Sequence, residues 1–131
     1  MDYVSLLFLM TSHTFNLPPG LLSSVCYVES GHEVAAIHFN DGGSDSLGIC
    51  QIKEATAAFV GFKGSAASLH SPKNNVYFAG KYLHHQLIRY NGDILRAVSA
   101  YNAGSHRVNK QGLTYNRKYV SKVFKAWANN R

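Results

Sequence analysis

Acidic side chains are scarce in this sequence: seven Asp and Glu stand against thirteen Lys and Arg in 131 residues, a net charge of +6 at pH 7. Such a surface favours anionic partners, and nucleic acid, an acidic membrane and an anionic wall polymer all fit the sign. The basic residues are densest between Arg107 and Lys125, yet no run of like charge forms a tail. Neither a helix-turn-helix-like basic face nor an interleaved aromatic platform is evident, so nucleic acid is not the expected partner. Cysteine is nearly absent too, and two residues, Cys26 and Cys50, exclude a disulfide framework. Each lies in an apolar stretch, so the expectation is two buried free thiols, with a bridge between them left open by the spacing. The seven His residues are scattered, and neither a metal nor a cofactor is expected. No apolar run approaches the roughly 20 residues of a membrane-spanning helix. The longest, VSLLFLM at 4–10, follows Asp2 rather than a basic segment and precedes no clean small-residue cleavage site. It reads as a first helix packed on the core rather than a signal peptide.

What is present is ordinary globular composition, 46% hydrophobic and 15% charged, in a length that suits one domain over residues 1–131 with the 1–17 helix packed on it. Helical spacing recurs along the chain. Val4, Leu7, Phe8, Thr11 and Phe15 mark a helix over 2–15, and Leu22, Val25 and Cys26 mark one over about 19–30 that opens at Pro18-Pro19 and closes at Gly31. Residues 37–45, IHFNDGGSD, suggest a small hairpin or irregular loop. Residues 53–60 form a short Ala-rich helix, and 61–72 a Gly- and Ser-rich connection. Long core helices are expected at 74–90, at 94–103 behind an Asp93 cap, and at 115–129 with Tyr119, Val120, Val123, Phe124 and Trp127 inward. The expected class is mainly α, about six helices and at most one small β-hairpin, and a monomer.

With so few acids, candidates for proton chemistry can be taken one at a time. Asp2 is terminal, Asp93 reads as a cap, Glu54 lies in the first turn of a helix, and Glu33 follows a helix-ending Gly. Asp41 and Asp45 lie in the turn region and could face a cleft. Glu29 alone falls on an apolar stripe, at i+7 from Leu22. Burial and the negative end of its helix both disfavour its charged form, which raises its pKa toward that of a general acid. The competing reading is a Glu turned to solvent at a frayed helix end. Glycosidases usually use two carboxylates, but a substrate N-acetyl group can replace the second, so one Glu suffices for an N-acetylated sugar. Gln51, Tyr101, Asn102 and Tyr119 could supply the amides and aromatic faces of a sugar cleft. Equally, each could be a core residue satisfying buried backbone.

The ordered segments ESG (29–31), SLGICQI (46–52), EATAAFVGF (54–62), SLHSPKNNVYFAGKYLHHQL (68–87), GDILRAVSAYNAG (92–104) and RKYVSKV (117–123) resemble the soluble lytic transglycosylase domain. That resemblance implies a lysozyme-like, mainly helical fold whose cleft binds peptidoglycan glycan strands. Glu29 matches the family's acid/base carboxylate, Gly48 and Gln51 its Gly-x-x-Gln motif, Tyr101 and Asn102 its Tyr-Asn pair, and Tyr119 its last tyrosine. Ser46 stands two residues before the motif glycine, and Cys50 replaces a more usual Met. The implied reaction is cleavage between N-acetylmuramic acid and N-acetylglucosamine with a 1,6-anhydro product, at the bacterial wall in periplasm or outside; with no export signal evident, phage or secretion-system use is the expectation. A hydrolytic muramidase using Glu29 with Asp45 or Asp41, and a non-catalytic wall-binding module, are the alternatives.

Overall fold

The structure is a computed structural model that describes residues 1–130. Helix α1, Tyr3–Thr14, starts at Asp2, whose Oδ1 accepts a 2.7 Å hydrogen bond from the Ser5 N–H. Asp2 is therefore an N-cap, not merely a terminal charge. Phe8 and Thr11 are buried, and Val4, Leu7 and Phe15 pack on the same core, as their spacing predicts. Helix α2, Leu21–Ser30, begins two residues later than its prolines suggest, because Gly20 takes the cap position in the left-handed conformation, φ 79°. Leu21, Leu22, Val25 and Cys26 are all fully buried. At about 2 kcal/mol for each large apolar side chain, this stripe anchors α2 firmly. Gly31, φ 67°, ends it by donating to the Tyr27 carbonyl at 2.7 Å.

A hairpin follows. Strands β1, Ile37–Asp41, and β2, Ser44–Leu47, are antiparallel, with Ile37 opposite Leu47, His38 opposite Ser46 and a register shift between His38 and Asp41. Then come α3, Glu54–Phe59, α4, Ala66–Leu69, α5, Pro72–Arg89, α6, Ile94–Ala103, and α7, Arg117–Asn130. The single-turn α4 falls in the segment expected to be a connection. Ser65 caps it by accepting from the Ser68 N–H, and Leu69 buries itself with Leu47, Ile52 and Ala57 in a second small core. Helix α5 opens two residues early, with Ser71 as cap and Pro72 in its first turn. Asp93 caps α6 as expected, accepting from Arg96 N–H at 3.1 Å. Among the described residues, no helix is long and apolar enough to cross a membrane.

Helix α7 lies antiparallel to α2. Trp127 Nε1 donates to the Pro19 carbonyl at 2.8 Å at one end, and the Tyr119 hydroxyl reaches Glu29 at the other. The loop after β2 is tied down from several sides. Asn75 of α5, fully buried, accepts from Cys50 N–H at 2.8 Å and donates to the Leu47 and Leu69 carbonyls at 2.8 and 2.9 Å. A Cβ at Gly48 would stand 2.4 Å from Asn75 Nδ2. The backbone at Gly48 thus makes a close approach that a side chain would block, and its partner is this buried amide.

The expectation of two free thiols is corrected: Cys26 and Cys50 form a disulfide. Both apolar stretches are buried, but the loop after β2 folds back over the last turns of α2, which brings the two Cα atoms to 4.3 Å. Spacing in sequence could not reveal that fold-back. A bridge closing a 24-residue separation removes about 3 kcal/mol of chain entropy from the unfolded state. The double variant Cys26→Ala/Cys50→Ala should therefore lose about 3 kcal/mol of stability. Urea unfolding of both proteins without reductant tests this, and equal midpoints would contradict it.

Candidate active site

The hairpin and the loop after it form one wall of a cleft of about 260 Å³, with the end of α2 and α6 across from them. Glu29, Asp41, Ser46, Gln51, Lys53, Thr56, Tyr82, Tyr101 and Asn102 line it. Glu29 stands in the last turn of α2, since its stripe carries the side chain inward while Gly31 turns the backbone away. Tyr119, in the first turn of α7, donates its hydroxyl to Glu29 Oε2 at 2.8 Å.

Burial is the main force on Glu29 and raises its pKa from 4.5 to about 7. The Tyr119 hydrogen bond opposes this by favouring the charged form, the negative charge of Asp41 adds to the rise, and the Asn102 amide opposes it more weakly. The negative end of α2 acts in the same sense as burial. Burial and the neighbouring Glu29 push the Tyr119 hydroxyl well above its ordinary range, so it stays a donor. The same two causes keep Tyr101 protonated. A carboxyl poised near neutrality beside an obligate donor can give up and take back a proton.

The other sequence-predicted residues divide into two groups. Tyr101 and Asn102 sit on α6 at the cleft. The buried Tyr101 hydroxyl donates to the Cys50 carbonyl at 2.9 Å, the core role weighed for it, while its ring contacts Tyr82 at 5.5 Å between centroids. Asn102 Oδ1 accepts from Asn116 Nδ2 at 3.0 Å, and Asn116 is itself held by Ser99, whose hydroxyl donates to Asn116 Oδ1 at 2.6 Å. This fixes which way the Asn102 amide faces.

Gln51 and Gly48 shape the wall more than they present groups from it. Gln51, in the left-handed region at φ 53°, spends its Nε2 on the Ala36 and Gly48 carbonyls at 3.2 and 3.0 Å. Gly48 does not line the cleft; it makes room for Asn75.

Ser46 is buried and donates to Asp41 Oδ2 at 2.7 Å. The strand alternation that turns Ser46 to the cleft turns Asp45 away, and Asp45 Oδ1 instead accepts from Asn40 N–H at 3.0 Å. Of the two turn-region acids, Asp41 is the one at the cleft.

Lys53, Thr56 and Tyr82 are cleft residues that pattern reading passed over. Lys53 donates to the Asp41 backbone carbonyl. Tyr82 lies one position off the buried stripe of α5, beside Leu83. A polar-tipped aromatic flanking a core stripe was the available signal. Asn116 carried none: its spacing puts it inside the last helix, which in the structure starts one residue later, at Arg117.

A mainly helical domain with a small hairpin, holding one high-pKa carboxyl in the cleft beside it, is the arrangement of a lysozyme-like fold. The family model of the transglycosylase SLT domain matches residues 7–124, and the chain belongs to that family. It is also 32% identical over 124 residues to Protein IpgF of Shigella flexneri and to that of Shigella sonnei, covering 89% of this chain and 81% of each relative.

Two outcomes follow for Glu29. Between pH 4.5 and about 7 the native state holds a proton that the unfolded chain has lost, so stability falls as pH rises through that window, by up to about 3 kcal/mol. Glu29→Gln should match the parent near pH 4 and be the more stable protein at pH 8, read from urea midpoints. A carboxyl ¹³C titration should place Glu29 near 7, higher in Tyr119→Phe and lower in Asp41→Asn; shifts of the opposite sign would overturn the electrostatic account.

Proposed function

We propose that this protein is a peptidoglycan lytic transglycosylase in which Glu29 alone serves first as acid and then as base. The observation that carries this reading is the cleft carboxyl held near pKa 7 and oriented by the Tyr119 hydroxyl. Protonated Glu29 donates to the glycosidic oxygen between N-acetylmuramic acid and N-acetylglucosamine as the C1–O bond breaks. The muramic acetamide oxygen supports the cationic C1 from the opposite face, in place of a protein nucleophile. Glu29, now ionised, accepts the proton of the C6 hydroxyl as that oxygen bonds to C1, which leaves a 1,6-anhydro sugar and restores the acid. Tyr119 steadies the carboxylate while it is charged. Tyr82 and Tyr101 offer ring faces to sugars, and Asn102 an amide to an acetamide. Ser46, Gly48 and Gln51 serve by holding the wall in shape.

A hydrolytic reading has one observation in its favour. Asp41 lines the cleft, is held by Ser46 and acts electrostatically on Glu29, so it could activate a water where Asp45 could not. Work at the wall outside the cytoplasm agrees with the disulfide, which belongs to oxidising compartments.

Mass analysis of digested sacculi separates the two chemistries: anhydro ends support the transglycosylase, and exclusively hydrated ends would sink it. Asp41→Asn should keep most of the activity in the first case and lose it in the second. Glu29→Gln should lower turnover at least about a thousandfold. The parent rate should fall as pH rises past about 7, where Glu29 loses its proton. Undiminished function in Glu29→Gln would point instead to a wall-binding module.

A further inference from the structure

We propose that the outer groove between α2 and α7 is a second binding site, which takes the carboxylate-bearing peptide stems of peptidoglycan; it rests on the glycan-cleaving reading above. At about 100° per residue, Lys118, Lys122, Lys125 and Asn129 fall at i, i+4, i+7 and i+11 on one stripe of α7, roughly a quarter turn from Tyr119. All four are exposed. Among the described residues the only ion pair is Arg96–Asp93, so none of these lysines has a carboxylate within 4.0 Å. Like charges at i, i+4 and i, i+3 destabilise a helix. No carboxylate among the described residues pairs with these lysines to offset that repulsion, whereas an anionic ligand would.

Three of its four members line a formed groove, and Lys118 continues the row of charge beyond it, beside Arg117. Lys122, Lys125 and Asn129 share a depression of about 440 Å³ with Tyr27 and Val28 of α2. Tyr27 and Asn129 also line the adjoining one, of about 330 Å³, with Ser23 and His32. The two are continuous through those shared residues. Tyr27 is 57% exposed, a large ring left open at the middle of the groove and met edge-on by His32 at 5.5 Å. His32 is anchored in turn, its Nε2 lying 2.8 Å from the Ser23 carbonyl. The groove therefore offers a row of cations, one aromatic face and several hydrogen-bonding groups, the complement of a short peptide bearing carboxylates.

Its position favours the same ligand. Tyr119, one residue from Lys118, touches Glu29, and from there α7 runs away from the cleft for about 17 Å. A strand engaged at Glu29 would carry its stems past this stripe. An acidic membrane is the weaker fit, because the apolar side of α7 is buried in the core and the groove exposes one large ring, Tyr27, rather than an apolar stripe that could insert.

The test uses the Glu29→Gln chain, so that binding is read without cleavage. Its affinity for intact sacculi at low salt should fall roughly tenfold when Lys118, Lys122 and Lys125 are all changed to Gln, and should also fall in Tyr27→Ala. With Glu29 restored, the triple-Gln protein should cut amidase-stripped glycan strands at the parent rate and intact sacculi more slowly. Unchanged binding to intact sacculi would overturn the proposal. So would equal loss on stripped strands, or lysine-dependent binding to phosphatidylglycerol vesicles as tight as to sacculi. A parent that binds sacculi through these lysines yet cuts neither substrate would sink the glycosidase reading and leave the groove standing.

Discussion

Keeping the Glu29 carboxyl largely out of water is the constraint around which this structure is arranged. An ionised carboxylate there is disfavoured by burial and by the end of α2, and only the Tyr119 hydroxyl and the Asn102 amide favour it. Each of those groups arrives on a different helix. Tyr119 depends on α7 packing antiparallel to α2, and Asn102 on α6 being held by the Asn116–Ser99 contacts. A small slip of either helix would change how easily Glu29 holds its proton.

Most helices were legible because their stripes are strict. Leu22, Val25 and Cys26 announce α2, Val120 and Val123 announce α7, and each stripe is buried where its period places it. Glu29 stood out for the same reason, as a carboxylate on an apolar stripe in a chain with few acids. Its partner Tyr119 lies ninety residues away, too far for any helical period to join the two. What stayed hidden depends on fold-back rather than on period. The Cys26–Cys50 bridge, the choice of Asp41 over Asp45, and the inclusion of Tyr82 and Lys53 all follow from how the hairpin and its loop lie over α2, and no local pattern encodes that. Helix α4 was missed because a single capped turn among Gly and Ser has no periodicity to show.

The motif residues also prove unequal in kind. Gly48 and Gln51 belong to the most recognisable stretch, yet both are engaged with the protein itself, one making room for Asn75 and the other bonding to backbone carbonyls. Both are committed to holding the wall in shape. Ser46 bridges the two roles: it lies in the cleft, but its hydroxyl is committed to Asp41. A motif can therefore mark a site without each of its members touching what the site binds.

The bridge and the strained carboxyl belong to one account. Cys26 precedes Glu29 by three residues on α2, and Cys50 precedes Gln51 in the opposing wall, so the disulfide joins the two sides of the cleft beside the group that weakens it. Above neutrality, holding Glu29 ionised costs up to about 3 kcal/mol, and the bridge contributes about the same through the unfolded chain. These terms have different origins. The first varies with pH and acts on the native state, while the second is independent of pH and acts on the denatured one. A fold that buries a carboxyl with a pKa near neutrality can thus remain closed around it in both of that group's charge states.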